Sequence, residues 1–519
     1  MLTHGIKRVM AQNGTRALVR SRGTVLRTAV PMVNHRTFSD KGDKGGAPEP
    51  PAGGGGNMPL FLGLAALVGG GLLMSQMGGS GAEAKSTSSS KHYTTESTAK
   101  LPGWIQAGLG DAPFYSEEKN ATFGGKEGTT PQQMPDISKH ANFMTDFLKK
   151  HPEVYDQLKN KKTKNGVTFG ECVKTGFDNP GHPHIKTCGI VAGDEESYEV
   201  FKDIFDPIIA DRHGGYPASG VQPTNLDINK LSKTDIDPEG KYVLTSRVRT
   251  GRSIRGYKLP PVIGFDERRA MEAIAVKGLL KMTGDFKGDY YPLNGSRSYA
   301  AKPNGMSEAK EEDLRKVGNL FQEPDSTLLL ASGMGRHWPD GRGIFHNDKA
   351  NLFVWVGEED HLRIVSMQGS RSHPTPEGKN MREVVARFIT ACDEVEKTLK
   401  KEGTQFMHND HHGFILTCPS NLGTGLRAGA MAKLPKMSSR KDWKKLLDVM
   451  KLQARGTGGV DSASTGGTWD VSNADRIGKG EVDLCNILIE GLAQLVRWES
   501  AMDKGQNVDA EIQKVLNSA

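Results

Sequence analysis

From about Ile137 onward, apolar residues recur at helical intervals. In HANFMTDFLKKHPEVYDQLKNK, Phe143, Phe147, Leu148 and Leu158 fall at helix-like spacings. The pattern predicts a small, all-helical domain over residues 136–225. A polar stretch, 226–240, follows it. From 240 to 514 the pattern changes to β-rich runs alternating with amphipathic helices. TLLLAS, NLFVWVG, LRIVSM and GFILTCP are the predicted strands, and EVVARFITACDEVEKTLKK is a predicted helix. That order fits an α+β domain in which helices back a sheet. The chain contains no internal repeat.

Upstream the periodicity disappears. Residues 1–39 contain Lys7, Arg8, Arg16, Arg20, Arg22, Arg27 and Arg36 but no Asp or Glu, the composition of a mitochondrial transit peptide. Arg36-Thr37-Phe38-Ser39 reads as its processing site. Residues 40–57 form a Gly/Pro linker with nothing from which to build a core. Met58 to Met77 carries no charge over 20 residues, enough to span a bilayer at about 1.5 Å rise per residue. Residues 78–135 are a Gly/Ser/Thr-rich tether and lead-in. The expected arrangement is a disordered leader, an inner-membrane anchor and a body in the mitochondrial intermembrane space.

Charge changes the picture only at the leader. The net charge is +7, and the seven basic residues before Asp40 account for all of it, so the body is neutral. A neutral body offers no footprint for nucleic acid. The five cysteines include no C-x-x-C pair, so neither a disulfide framework nor a protein-held metal is expected.

No GxxxxGK[ST] loop is present, so any phosphate must be held by other means. Arginines stand out instead. Arg247, Arg249, Arg363, Arg427 and Arg455 lie in Ser/Thr/Gly-flanked or apolar segments. A guanidinium stays charged and matches phosphate oxygens bidentately, so five of them suit a nucleoside triphosphate. An acidic run, Glu358-Glu359-Asp360, follows the apolar NLFVWVG. Thr417-Cys418-Pro419-Ser420-Asn421 places a cysteine beside a serine hydroxyl, a setting that stabilises a thiolate.

These segments resemble the guanidino (phosphagen) kinase family in its creatine kinase-like, mitochondrial form. The likeness rests on CPSNLGTGLRAG (418–429), TSRVRTGRSIRG (245–256), WVGEEDHLRIVSMQ (355–368), RGTGGVD (455–461) and DVSNADR (470–476). It extends to GFDNPGHPHIKTCGIVAGDEESYEVF (176–201) and FDPIIADRHGGY (205–216). The resemblance implies a helical domain over an antiparallel sheet flanked by helices. It implies reversible transfer of the γ-phosphoryl group of ATP to a guanidine, with creatine the first choice and taurocyamine or glycocyamine the runners-up. Mg²⁺ would enter with ATP.

By the same resemblance Arg247, Arg249, Arg363, Arg427, Arg455 and Asp470 form the ATP site, with Arg427 also catalytic. Glu359 grips the guanidinium, and Cys418, supported by Ser420, is the neighbouring thiolate. Ile185, Cys188, Gly189 and Val460 line the acceptor pocket, Ile185 and Val460 cupping the methyl group of creatine. Several positions depart from the family pattern. Gly318 and Met431 replace histidines near the nucleotide, Phe345 a tryptophan, and Cys188 a valine. Insertions fall near Asn294–Gly305 and Ser370–Gly378. Thr404 replaces a tryptophan that helps build octamers, so a homodimer is expected. The alternative from another class is a catalytically weak, membrane-tethered scaffold that binds nucleotide.

Overall fold

A computed structural model describes residues 130–182, 185–296, 306–324, 326–369, 380–456 and 466–518. The expected transit peptide, Gly/Pro linker and 58–77 span, most of the tether and most of both insertions lie outside these residues. Among the described residues no helix is long and apolar enough to cross a membrane.

The amino-terminal part is helical, as expected. Its helices are α1 (Phe143–Lys150), α2 (Glu153–Leu158), α3 (Phe169–Phe177), α4 (Ser197–Val200) and α5 (Lys202–Arg212). Capping fixes the starts of two of them. Asn142 accepts from Thr145 N, Thr168 accepts from Glu171 N, and both residue pairs complete reciprocal capping boxes. The single helical run suggested by 143–158 is interrupted at His151-Pro152, because proline supplies no N–H to continue the ladder. Met144, Leu148, Tyr155, Leu158, Phe169 and Phe177 build the local core, while Phe143 and Phe147 are only partly buried against it.

The carboxy-terminal part is built on strands β1 (Val243–Arg252), β2 (Gly288–Pro292), β3 (Gly343–Asn347), β4 (Leu352–Val356) and β5 (Leu362–Gln368). A two-stranded ribbon, β6 (His408–Asn409) and β7 (Gly413–Phe414), stands apart from them. The main sheet continues with β8 (Leu426–Lys433), β9 (Leu452–Arg455) and β10 (Thr468–Asn473). Its eight described strands run antiparallel in the order β2-β3-β4-β5-β1-β8-β10-β9. The helices of this part are α6 (Phe265–Leu279), α7 (Glu308–Lys316), α8 (Thr327–Ala331), α9 (Met381–Lys401), α10 (Pro435–Ser438), α11 (Trp443–Val449), α12 (Glu481–Asp503) and α13 (Asp509–Leu516).

One face of the sheet is apolar. Val248, Val354, Ile364, Leu426 and Ala428 pack with Val384, Phe388 and Val395 of α9 and Leu488 and Leu492 of α12. Alternate residues point the other way. On β3–β5 that opposite face carries a second apolar cluster with Ile344, Phe353, Trp355 and Val365, and on β1 and β8 it carries polar and charged side chains.

Two predicted strands need correction. TLLLAS is the helix α8, started by Ser326, whose side chain accepts from Leu329 N. A short apolar run does not distinguish strand from buried helix. Here α3 decides the matter, with Lys174 Nζ donating to Ala331 O at 2.9 Å and Thr175 Oγ1 to Leu328 O at 2.9 Å. GFILTCP is a strand only at Gly413–Phe414. Beyond it the backbone is taken by other partners: Tyr198 OH donates to Leu416 O, Ala192 N to Thr417 O, and Thr417 N to Asp360 Oδ1.

Candidate active site

Antiparallel register places the arginines. Arg249 stands opposite Arg427, Arg247 opposite Gly429, and Gly251 opposite Arg363. Asp470 stands opposite both Met431 and Arg455. Residues opposite one another, and residues two apart, share a face. Arg247, Arg249, Arg363, Arg427, Arg455 and Asp470 therefore all lie on the face away from α9. Met431 shares that face.

Their partners differ. Arg427 donates to Ser472 Oγ and Asp470 Oδ2, each at 3.1 Å. Arg455 donates to Gln453 Oε1 at 3.3 Å. Arg249 makes no ion pair among the described residues, and burial together with Arg363, Arg427 and Arg247 pushes its guanidinium well below the usual range. Burial is the largest cause of that shift, and the neighbouring like charges add to it. An anion placed there would relieve it.

The sequence reading missed a sixth arginine, Arg476. It donates to Ser420 O at 3.0 Å and bonds Asn421 Oδ1. Burial, then Arg427, lowers its guanidinium to about 9. With Arg249, Arg363 and Arg427 it lines an open cleft of about 230 Å³. It closes the DVSNADR segment, where its clustering with the other arginines was not visible.

The acidic run follows β4 and leads into β5; its Asp360 lines the same cleft, while Glu358 and Glu359 line a separate cavity. Arg363 meets Glu358 at 3.3 Å, Glu359 at 2.6 Å and Asp360 at 3.1 Å. Burial alone would lower the Arg363 guanidinium, but the three carboxylates outweigh it and hold the group above its ordinary value. Burial pushes Glu358 up. Glu359 is the most open of the three, with its side chain 37% exposed. Thr417 ties this turn to the next segment, donating from Oγ1 to Glu359 O at 2.7 Å.

That segment carries Cys418, whose Sγ lies 3.1 Å from Ser420 Oγ. Donation from the Cys188 thiol outweighs burial and, with Ser420, pulls the Cys418 thiol below its ordinary value. The same contact, and then burial, push Cys188 up. Cys188 thus reaches the site from the helical part, while its carbonyl accepts from Met144 N at 3.1 Å. Gly189 has a structural reason to be glycine. Its φ is +74°, and a Cβ there would come within 2.2 Å of Asn142 Oδ1. Ile185 is 39% exposed, and its expected partner Val460 lies outside the described residues.

The departures have local explanations too. Gly318 has φ +76° directly after the end of α7, a left-handed position that favours glycine. Phe345 is fully buried in β3. Thr404 donates to Arg255 O at 2.8 Å.

A bed of arginines, with a carboxylate run and a thiol of lowered pKa beside it, suits transfer of a phosphoryl group to a cationic acceptor. Comparison with known proteins agrees. The models of the ATP:guanido phosphotransferase N-terminal domain and C-terminal catalytic domain match residues 138–210 and 270–502. Creatine kinase M-type of Canis lupus familiaris is 48% identical over 379 residues, covering 73% of this chain and 94% of its own. The testis isozyme of Oncorhynchus mykiss is 47% identical over 393 residues, covering 76% and 97%. Among solved structures, a lombricine kinase matches with a TM-score of 0.67 and 36% identity, over 74% of this chain and 99% of that one. The substrate-free duplicated taurocyamine kinase of Schistosoma mansoni matches with a TM-score of 0.61 and 31% identity, over 75% and 49%. With both domain models matched in order around this cleft, the chain belongs to the ATP:guanido phosphotransferase family and is a guanidino phosphotransferase of creatine kinase-like type.

Proposed function

We propose that the chain reversibly transfers the γ-phosphoryl group of MgATP to creatine. The observation that carries this reading is the pairing of Glu359 with Arg363 at 2.6 Å, where a partly exposed carboxylate already holds a guanidinium. A substrate guanidinium presents the same planar fork. Phosphate oxygens arriving with MgATP compete for Arg363, which frees Glu359 for the acceptor.

Arg247, Arg249, Arg363, Arg427 and Arg455 then hold the triphosphate, joined by Arg476, and Asp470 orients Arg427. Phosphoryl transfer proceeds through a loose transition state with charge spread over the phosphoryl oxygens, so alignment and fixed cations do most of the work. Mg²⁺ arrives with the nucleotide, bridging its phosphates, as part of the substrate. Glu359 orients the guanidine and accepts its proton. The Cys418 thiolate, supported by Cys188 and Ser420, adds negative charge beside the guanidinium. Creatine is favoured by the 48% identity to creatine kinase M-type. Ile185, Gly189 and Val460 complete its pocket.

The test is ADP formation from MgATP by the full chain, with creatine, taurocyamine, glycocyamine and lombricine in parallel. Highest kcat/KM with creatine supports the proposal. Preference for another guanidine keeps the reaction and overturns the acceptor. Silence with all four, with nucleotide still bound, points to a nucleotide-binding scaffold.

Residues 1–39 are proposed to direct the chain to mitochondria, 58–77 to anchor it in the inner membrane, and the body to work as a homodimer in the intermembrane space. A reporter fused to residues 1–135 tests the address, and a diffuse cytosolic signal would overturn it.

A further inference from the structure

Three metal-ligand side chains meet where the helical part touches the β6–β7 ribbon. Asp206 comes from α5, and His411 and His412 come from the turn between the two short strands. One ligand atom from each lies within 4.8 Å of the other two. His411 Nδ1 lies 2.7 Å from Gly220 O, so that nitrogen carries the proton and Nε2 presents a lone pair. A backbone carbonyl on the far ring nitrogen is the usual support of a metal-binding histidine. Tyr216 stacks on the His411 ring at 5.5 Å and donates to His411 O at 2.7 Å, which fixes its orientation.

His412 is the second and independent observation. It is 4% exposed, yet its Nε2 has no hydrogen-bond partner. Asp206 Oδ1 is likewise buried without a partner, 3.9 Å away. That is too long for a hydrogen bond. Two buried polar atoms that face one another without bonding call for a third body between them.

We propose that Asp206, His411 and His412 form a binding site for a divalent transition metal of the zinc class, with water completing a tetrahedral set. Such an ion holds nitrogen and oxygen donors at about 2.0–2.1 Å, which puts them roughly 3.3–3.5 Å apart. The 3.9 Å pair needs to close by only a few tenths of an ångström. Ligation through His412 Nε2 moves the ring proton to Nδ1. That nitrogen lies 3.3 Å from Asn409 Nδ2, while Asn409 Oδ1 accepts from His412 N at 2.6 Å, so the metal-bound tautomer requires the Asn409 amide to turn its donor away from Nδ1. Mg²⁺ prefers octahedral oxygen sets, so the nucleotide's cation does not compete for two imidazoles.

The site amends the expectation that the chain holds no metal, which came from cysteine spacing alone. It would join α5 to the ribbon that leads into Cys418. The same helix end already grips that segment, with His213 Nε2 2.9 Å from Pro419 O. The role is structural: a brace between the helical part and the catalytic segment.

The test titrates the chelator-treated full chain with Co²⁺ in Mg²⁺-containing buffer, following visible absorption, and with Zn²⁺, following thermal unfolding. The expected result is a single tetrahedral Co²⁺ without a sulfur-to-cobalt charge-transfer band, and a higher Tm with Zn²⁺. Asp206→Asn and His412→Leu should each weaken binding by at least about tenfold, while Cys418→Ser leaves it unchanged. Circular dichroism of both variants checks that they fold, and the near-isosteric Asp206→Asn carries the test where His412→Leu does not. A sulfur band, loss of binding in Cys418→Ser, or undiminished binding in folded Asp206→Asn would overturn the proposal.

Discussion

Arg249 of β1 and Arg427 of β8 stand directly opposite one another across a hydrogen-bonded strand pair. Like charges in this position destabilise a sheet by roughly 0.2–1 kcal/mol. Arg427 has Asp470 to offset it, whereas Arg249 has no such carboxylate among the described residues. The repulsion is tolerable because a polyanionic substrate removes it.

Replacing Arg249 should therefore separate stability from function. Arg249→Met is expected to unfold at a Tm equal to or above that of the parent without nucleotide. It should lose most of the thermal shift given by MgATP, and turnover should fall by about 10²–10³-fold. Differential scanning fluorimetry with and without MgATP, beside a coupled ADP assay, reads all three. A normal nucleotide shift would sink the assignment.

In the proposed mechanism Glu359 acts on the guanidine side. Glu359→Gln keeps a hydrogen-bonding side chain near Arg363 but loses the charge that holds and deprotonates the acceptor. Turnover should fall on the order of 10²–10⁴-fold, with nucleotide affinity nearly unchanged. Nucleotide titration by calorimetry distinguishes the roles, and a collapse of ATP affinity would move Glu359 to the phosphate side.

Cys188 supplies the largest contribution to the lowered Cys418 thiol. Cys188→Val removes that donor, so the Cys418 pKa should rise. Because the thiolate is the active form, the acid limb of the kcat/KM profile should move to higher pH. The alkylation rate of Cys418 at fixed pH should drop in parallel. An unmoved limb would mean that Cys188 does not stabilise the thiolate.

His361 makes the fold acid-sensitive. It is fully buried, accepts from Ile254 N at 2.9 Å, and sits 2.9 Å from Lys258 O through Nε2. Burial lowers it from 6.5 to about 4. The unfolded chain takes up a proton below about 6.5 and the folded chain only near 4, so stability is full above 6.5 and is lost as pH falls through this window. The unfolding free energy from urea titration should drop between these limits, by up to roughly 3 kcal/mol for a fully buried ring. His361→Gln should flatten that slope, and an equally steep slope in the variant would assign it to other groups.

Much of the site was legible along the chain, because its chemistry lies in contiguous segments. Arg247 and Arg249 are two apart on one strand, a spacing that places both on one face whatever the neighbours do. Glu359 and Arg363 flank the start of β5, and Cys418 and Ser420 share one turn. The helix starts at Asn142 and Thr168 were equally local, since a cap is satisfied within three residues.

What required the folded chain was anything settled between distant segments. TLLLAS has an apolar run compatible with either geometry, and only α3, more than 150 residues earlier, selects the helix by bonding its carbonyls. GFILTCP has a strand's composition, but its backbone groups are claimed by Ala192, Tyr198 and Asp360 before a neighbouring strand can pair with them. Arg476, the Cys188–Cys418 contact and the Asp206–His411–His412 cluster join groups that sequence spacing does not connect. Local pattern determines which residues share a face once the geometry is set; burial and long-range hydrogen bonding determine the geometry of ambiguous segments and which faces meet, and with them the electrostatics of the site.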